Sequence, residues 1–230
     1  MRVMVVVDHP YGAGAWDNTP HHRSFTAALA HAACQGLEAA GHDVDLVDLH
    51  ADGFNPVMSA GELAAWRQGV ASPDPLAADY QRRLLDADHL VLAFPIWWES
   101  TPAATKGFID KAVAKGIAYT EAGQAAGRPA GSAETTGLDD GKRAPGNGLR
   151  PMVNATKLTG VTLITVMSTP MWLYRAVFST AITKILLRGT FRKIGVPNLT
   201  WLGHSGVDKK TPAERQRLLD SVQRRFASLR

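Results

Sequence analysis

One cysteine, Cys34, is all the chain contains, so no internal disulfide can form. That excludes the small disulfide-stapled scaffolds and fits a reducing cytoplasm. Cys34 lies among alanines in a helical stretch and reads as a small buried side chain, not a nucleophile. No apolar run approaches the roughly 18 residues of a membrane span. The N-terminus runs directly into a strand pattern, without a signal-peptide layout. The expectation is a cytoplasmic protein with no membrane span. Dense basic runs are also missing. Lysine and arginine number 25 against 21 aspartate and glutamate, a net charge of +4. The cations come in scattered pairs such as Arg82-Arg83 and Arg224-Arg225. These read as solvated helix faces and exclude a nucleic-acid tail, while still favouring an anionic cofactor such as NADPH. Three loop motifs are absent as well: Gly-x-Gly-x-x-Gly after the first strand, Gly-Lys-Ser/Thr, and Gly-x-Ser-x-Gly. Their absence counts against the ordinary dinucleotide and NTP sites and the hydrolase elbow. His21-His22 with Asp17 does not make a metal set, because adjacent histidines point apart and no matched ligand pair follows. No metal is expected.

What is present is an alternation. The 230 residues, 45% of them hydrophobic, suffice for one large core. Val3 to Val7 is a continuous β-branched run, the pattern of a central strand covered on both faces. Ser24 is placed to cap a helix reaching Ala40, with Gly41 to end it. Asp43 to Asp48 reads as a second strand. Ser59 and Glu62 have capping-box spacing for a helix. Ser72-Pro73-Asp74-Pro75 breaks that helix, and Leu76 to Asp86 forms the next. His89 to Ala93 is a third strand, followed by a helix from Ala103 to Ala114. From Gly116 to Asn154 the pattern dissolves into a glycine-rich stretch too long for an ordinary connection. Leu158 to Met167 is a fourth strand, Met171 to about Ile194 a helix, and Asn198 to Gly203 a fifth strand. Thr211-Pro212-Ala213-Glu214 starts a last helix. The pattern predicts a single α/β domain over residues 1–230. Its five-stranded parallel sheet has flavodoxin-like order 2-1-3-4-5 and helices on both faces, and a glycine-rich insertion falls at about 120–155.

In such a sheet ligands bind outside the carboxyl ends of the strands, at the switch between strands one and three. Three loops converge there. The first, Asp8 to Ser24, ends at a helix N-terminus. Free N–H groups from Ser24 to Ala27, with the Ser24 and Thr26 hydroxyls, suit a phosphate, and His9 and Arg23 add charge. The second, Phe94 to Pro102, carries Trp97-Trp98, read from the stretch alone either as a flat wall for an aromatic ligand or as a hydrophobic corner between strand and helix. The third, Ser168-Thr169-Pro170-Met171-Trp172, adds two hydroxyls and another tryptophan. A phosphate site beside an aromatic wall describes a flavin nucleotide better than a sugar or a peptide. His204, just past the fifth strand, lies within reach of the same end. His31, His42, His50 and His89 read as structural or surface groups.

At these residues the chain resembles the NAD(P)H:quinone oxidoreductase branch of the flavodoxin-like flavoproteins. The resemblance rests on His9-Pro10 and Ser24-Phe25, then Asp48-Leu49 with Phe54-Asn55-Pro56. Its most specific phrase is Ala87-Asp88-His89-Leu90-Val91, Phe94 to Trp98, Pro102 and Lys106-Gly107, with Ala118-Tyr119-Thr120 after it. The resemblance implies a flavin-dependent NAD(P)H dehydrogenase of the quinone type, a homodimer with sites at the interface. It implies FMN or FAD as cofactor, NADPH or NADH as reductant, and ping-pong hydride transfer through flavin N5 to a quinone or similar small acceptor. By the same resemblance His9, Ser24, Phe25 and Thr26 would bind the flavin phosphates. Pro95, Ile96, Trp97 and Trp98 would line the isoalloxazine, and Ser168 and Thr169 its polar edge. Tyr119 would reach toward substrate. The flavin carries the chemistry, so no dedicated acid is required; Tyr119, Tyr174 and His204 are the candidates for one. The chain departs from the pattern at Pro170-Met171-Trp172, where glycines are usual, leaving Tyr174 and Arg175 as candidates for the pyrimidine edge. Glu99, Glu121 and the long insertion depart as well. A second reading, also implied by resemblance, is a regulatory flavoprotein subunit of the potassium-efflux ancillary type, acting by binding a partner.

Overall fold

Apolar runs separated by amphipathic segments should wind into a parallel sheet, and they do so in a computed structural model that describes residues 1–17, 23–121 and 152–230. The strands are β1 (Arg2–Val7), β2 (Asp43–Asp48), β3 (His89–Pro95), β4 (Tyr119–Glu121), β5 (Met152–Asn154), β6 (Gly160–Met167) and β7 (Asn198–Ser205). Five of them form one sheet in the order β2-β1-β3-β6-β7, all pairs parallel. Counted within that sheet, this is the flavodoxin-like order 2-1-3-4-5. The three middle strands are buried almost throughout, as their unbroken apolar sequences require.

Helices cover both faces. On one, α1 (Phe25–Ala39) and α6 (Pro212–Ala227) pack Leu29, Leu37, Val222 and Phe226 against Val3, Val5 and Val7. On the other, α3 (Pro75–Asp86) and α4 (Ala103–Ala112) pack Tyr80, Leu84 and Phe108 against Met4, Val6 and Leu92. The helix starts follow local chemistry. Ser24, Asp74 and Thr211 each accept a hydrogen bond from the first turn of α1, α3 and α6. Ser59 and Glu62 complete a reciprocal capping box for α2 (Ala60–Gln68). Among the described residues no helix is long and apolar enough to cross a membrane.

Three expectations need correction. β3 continues two residues beyond Ala93, so Phe94 and Pro95 belong to the sheet and not to the loop. The single helix expected from Met171 to Ile194 is two pieces: α5 (Met171–Ala176) and a π-helix over Thr183–Arg192. Between them Ser179 and Thr180 turn through positive φ, +50° and +53°, and Thr183 bonds the Thr180 carbonyl. Short hydroxyl side chains compete with the helix ladder in this way. The glycine-rich stretch is not loop throughout. Its first residues, β4, pair antiparallel with β5 in a two-stranded sheet, too short to leave a readable alternation. Residues 122–151, most of the expected insertion, lie outside the described residues.

Candidate functional site

The carboxyl ends of β1, β2 and β3 are held together by Asp8. This residue ends an apolar strand and is 2% exposed. One carboxylate oxygen accepts from both the backbone N–H and the hydroxyl of Thr105, each at 2.6 Å, and the other pairs with His50 Nε2 at 2.9 Å. A buried carboxylate is tolerable only with such partners. The network joins the end of β1 to the loop after β2 and the first turn of α4, at the switch point. Sequence reasoning missed it, because Asp8, His50 and Thr105 are far apart in the chain and share no local pattern. The Phe-Asn-Pro and Lys-Gly phrases also acquire a cause: a Cβ on Gly107 would lie 2.4 Å from Pro56 Cα, so only glycine lets α4 approach that turn.

The first loop ends as a smaller anion cradle than expected. The Ser24 N–H donates to the Ala15 carbonyl at 3.1 Å, and the Ala27 N–H is taken by Ser24 Oγ at 3.1 Å. Among the described residues that leaves the N–H groups of Phe25 and Thr26 and the Ser24 hydroxyl proton without an acceptor. Ser24 and Thr26 are buried. His9 accepts from the Tyr11 N–H at Nδ1, 3.2 Å away. Burial, and next the nearby His50, push its pKa below the ordinary histidine value. The ring is therefore neutral near pH 7 with its proton on Nε2, a donor. His21 and His22 lie outside the described residues. Among the described residues no group of three or more histidine, cysteine or acidic side chains could hold a metal.

The second loop is a tight turn under strain. After the Ile96 N–H bonds the Val166 carbonyl at 2.8 Å, Trp97 and Ser100 exchange two backbone hydrogen bonds, at 3.2 and 3.0 Å. The residues between them, Trp98 and Glu99, have φ of +49° and +60°. Positive φ at both central positions is a geometry usually given to Asn-Gly, and bulkier residues pay about 1–2 kcal/mol each for it. The expected ring wall separates into distinct parts. Pro95 and Ile96 are buried beneath the turn, Trp97 is 48% exposed and Trp98 is 99% exposed.

The third loop is joined to the second. Thr169, following β6, donates its hydroxyl to Glu99 Oε1 at 2.6 Å. Glu99 Oε2 is buried and has no hydrogen-bond partner among the described residues. Ser168 is exposed beside it. Helix-terminus donors, a half-exposed tryptophan and an acceptor lacking a donor, all at the carboxyl ends of neighbouring strands, fit a flavin nucleotide.

The remaining candidates are Tyr174, Tyr119 and His204. Tyr174 is fully buried and its hydroxyl accepts from the Ile182 N–H at 3.0 Å, so it anchors the turn after α5, and Glu99 of the second loop lies near enough to act on its ionisation. Burial is the first cause raising its pKa. Tyr119 is 8% exposed and lines a cavity of about 410 Å³ with Leu63, Ile109, Met152 and Ile194, to which no described residue of the three loops contributes. His204 lies inside β7 and not past it, and lines another cavity with Met171 of the third loop, Arg175 and Arg225; among the described residues its buried Nε2 has no partner, and burial lowers its pKa.

A family model described as flavodoxin-like fold, Flavodoxin_2, matches residues 1–169. An uncharacterized NAD(P)H oxidoreductase of Escherichia coli (strain K12), YcaK, is 37% identical over 100 residues, covering 44% of this chain and 51% of that protein. An uncharacterized NAD(P)H oxidoreductase of Haemophilus influenzae is 35% identical over 128 residues, 55% of this chain and 58% of that one. The matches thus span about half the length of these curated relatives. The solved NAD(P)H:quinone oxidoreductase from Methanothermobacter marburgensis superposes with a TM-score of 0.73 at 21% identity, covering 100% of this chain and 99% of that one. At that identity the likeness is one of fold.

Proposed function

The chain belongs to the flavodoxin-like family Flavodoxin_2, and on that footing we propose that it is a flavin-dependent NAD(P)H oxidoreductase acting on a quinone or similar small electrophilic acceptor. The observation that carries the reading is the junction of the second and third loops, where Thr169 and Glu99 meet beside Trp97 at the switch end of the sheet. The names of the relatives, NAD(P)H oxidoreductases, support the same reductant. When bound, the flavin, FMN or FAD, supplies two-electron hydride chemistry at N5, in ping-pong order between NAD(P)H and the acceptor.

The chain's own residues bind and orient. The Phe25 and Thr26 N–H groups and the Ser24 hydroxyl hold phosphate at the positive end of α1. Neutral His9 donates from Nε2 without adding charge. Trp97 covers ring surface and keeps water from it. The exposed Ser168 hydroxyl faces the polar edge. No catalytic acid is assigned: Tyr174 belongs to the core, and Tyr119 would act only if presented to a second copy. We include that second copy in the proposal, since Trp98, Trp172 and Val177 leave large apolar surface bare.

Purification and acid release test the reading. The expected result is a yellow protein whose released flavin runs with FMN or FAD and is bleached rapidly on stopped-flow mixing with NADPH or NADH. A chain that takes up neither flavin, or a bound flavin that neither nucleotide bleaches, sinks the proposal.

A further inference from the structure

Glu99 is the residue of the aromatic turn that the family pattern leaves unexplained, and its surroundings define a task for it. It occupies a left-handed position that a glutamate does not favour, φ +60°. Strain of this kind persists only where neighbouring contacts hold it, and it gathers at ligand sites. Two contacts hold it here: the paired backbone bonds of Trp97 and Ser100, and the Thr169 hydroxyl on Oε1. A hydroxyl bond to a carboxylate is short and strong, so it also fixes the direction in which the second oxygen lies.

That second oxygen, Oε2, is out of reach of solvent and has no donor. Only two other side-chain atoms among the described residues share that condition, Arg2 Nε and His204 Nε2; neither is a carboxylate oxygen. Leaving a charged acceptor unpaired costs more than leaving a neutral one unpaired. A ligand donor would satisfy it where the second and third loops part to admit one, since as they stand Oε2 has no surface open even to water.

Donor accounting then limits what the ligand can offer. A carboxylate only accepts hydrogen bonds. The pyrimidine edge of an oxidised flavin presents two carbonyl oxygens and a single donor, N3–H. We propose that Glu99 reads that edge: Oε1 is held by Thr169, and Oε2 accepts from flavin N3–H. The inference rests on the flavin reading above and adds the residue that orients the ring. It also changes the role of Thr169. The hydroxyl has one proton, and that proton is committed to Glu99. Thr169 is thus a positioning residue and not a direct donor to the ring, and the flavin carbonyls must be met by Ser168 or backbone N–H groups. A fixed negative charge beside the ring also disfavours the electron-rich reduced flavin.

The test compares the flavin the chain retains with its N3-methyl analogue, which lacks the donor. Full-length chain, freed of flavin, is titrated with each. The expected result is at least tenfold tighter binding of the natural flavin by the unaltered chain. Glu99→Ala should bind the two alike. Thermal unfolding checks that the variant folds; should it not, Glu99→Gln, which keeps an acceptor oxygen without the charge, takes its place. That second variant should keep part of the preference and raise the midpoint potential of the bound flavin. Equal affinity of the unaltered chain for both flavins overturns the proposal and leaves the flavin reading intact. So does a preference that survives Glu99→Ala undiminished. Failure to bind either flavin overturns both.

Discussion

Trp97 and Trp98 are neighbours in sequence, yet the turn sends them into different surroundings, one half-covered and one bare. Trp97 lines a cavity with Asp8, His50 and Pro102, and on the proposed reading it is the tryptophan that covers the ring. Replacing it with alanine should weaken flavin retention about tenfold, the scale of one lost aromatic contact of about 1.4 kcal/mol. Equilibrium dialysis reads this directly, and unchanged occupancy would make the tryptophan mere packing. Trp98→Ala, removing a side chain that touches almost nothing within the chain, should leave retention unaltered in dilute monomer. Cys34 gives a cleaner case. Burial, with Glu38 second, pushes its thiol up to about 12, so almost none is thiolate at pH 8. Iodoacetamide at pH 8 should modify the native chain only slowly and react at once after denaturation; rapid native alkylation would contradict the burial. At this scale the sequence announced the Ser24 cap and the buried Cys34 because their meaning is local. It could not announce Asp8 or Glu99, whose roles come from partners 97 and 70 positions away.

The helices that could be read were those with their instructions written into three or four adjacent residues. Ser59 with Glu62 and Thr211 with Glu214 form the capping boxes their spacing promised. The broken helix between Met171 and Ile194 carried no capping box at its break, which combines the Ser179-Thr180 turn with Tyr174 reaching Ile182. One capping residue has a second role that spacing does not reveal. Glu62 also pairs with Lys111 of α4 at 2.8 Å, and the two side chains are 6% and 1% exposed. Burial alone would raise the Glu62 pKa, but Lys111 and Ser59 outweigh it and hold the carboxyl below the ordinary value. The ammonium also lies 5.4 Å from the centre of the Phe54 ring. One buried pair therefore pins α2 to α4 beneath the loop after β2. Lys111→Met strands the Glu62 charge and should cost about 3–5 kcal/mol in urea unfolding. Adding Glu62→Gln should recover part of that loss. If the single variant loses less than about 1 kcal/mol, the pair is not the fastening described.

For the molecule as a whole, the sheet order was legible because alternation of strands and helices leaves few ways to wind a parallel sheet. The titration behaviour was not, and His89 shows why. It opens β3 at the centre of the sheet, where sequence alone allowed a surface histidine. Its Nε2 instead pairs with Thr162 Oγ1 at 2.9 Å, and a Cβ on Gly160 would fall 2.6 Å from its Nδ1, so the sheet has left room for the ring. Burial first, and His42 second, lower its pKa to about 4. The unfolded chain, with an ordinary value near 6.5, therefore binds a proton that the folded chain refuses across the interval between. Stability rises with pH in that window and is lost as pH falls from about 6.5 to 4; below it both states are protonated and the loss stops growing. The shift corresponds to about 3 kcal/mol. Glu62, depressed from a lower starting value, begins to withdraw its stability only below about pH 4.5. Urea unfolding at pH 7, 6 and 5 thus isolates the histidine contribution. His89→Gln, which keeps a hydrogen-bonding group for Thr162 and does not titrate, should make the dependence across that range clearly shallower, with the lowered His9 and His204 supplying what is left. An equally steep loss in the variant would place the acid sensitivity in other groups, with the lowered His9 and His204 the first to examine.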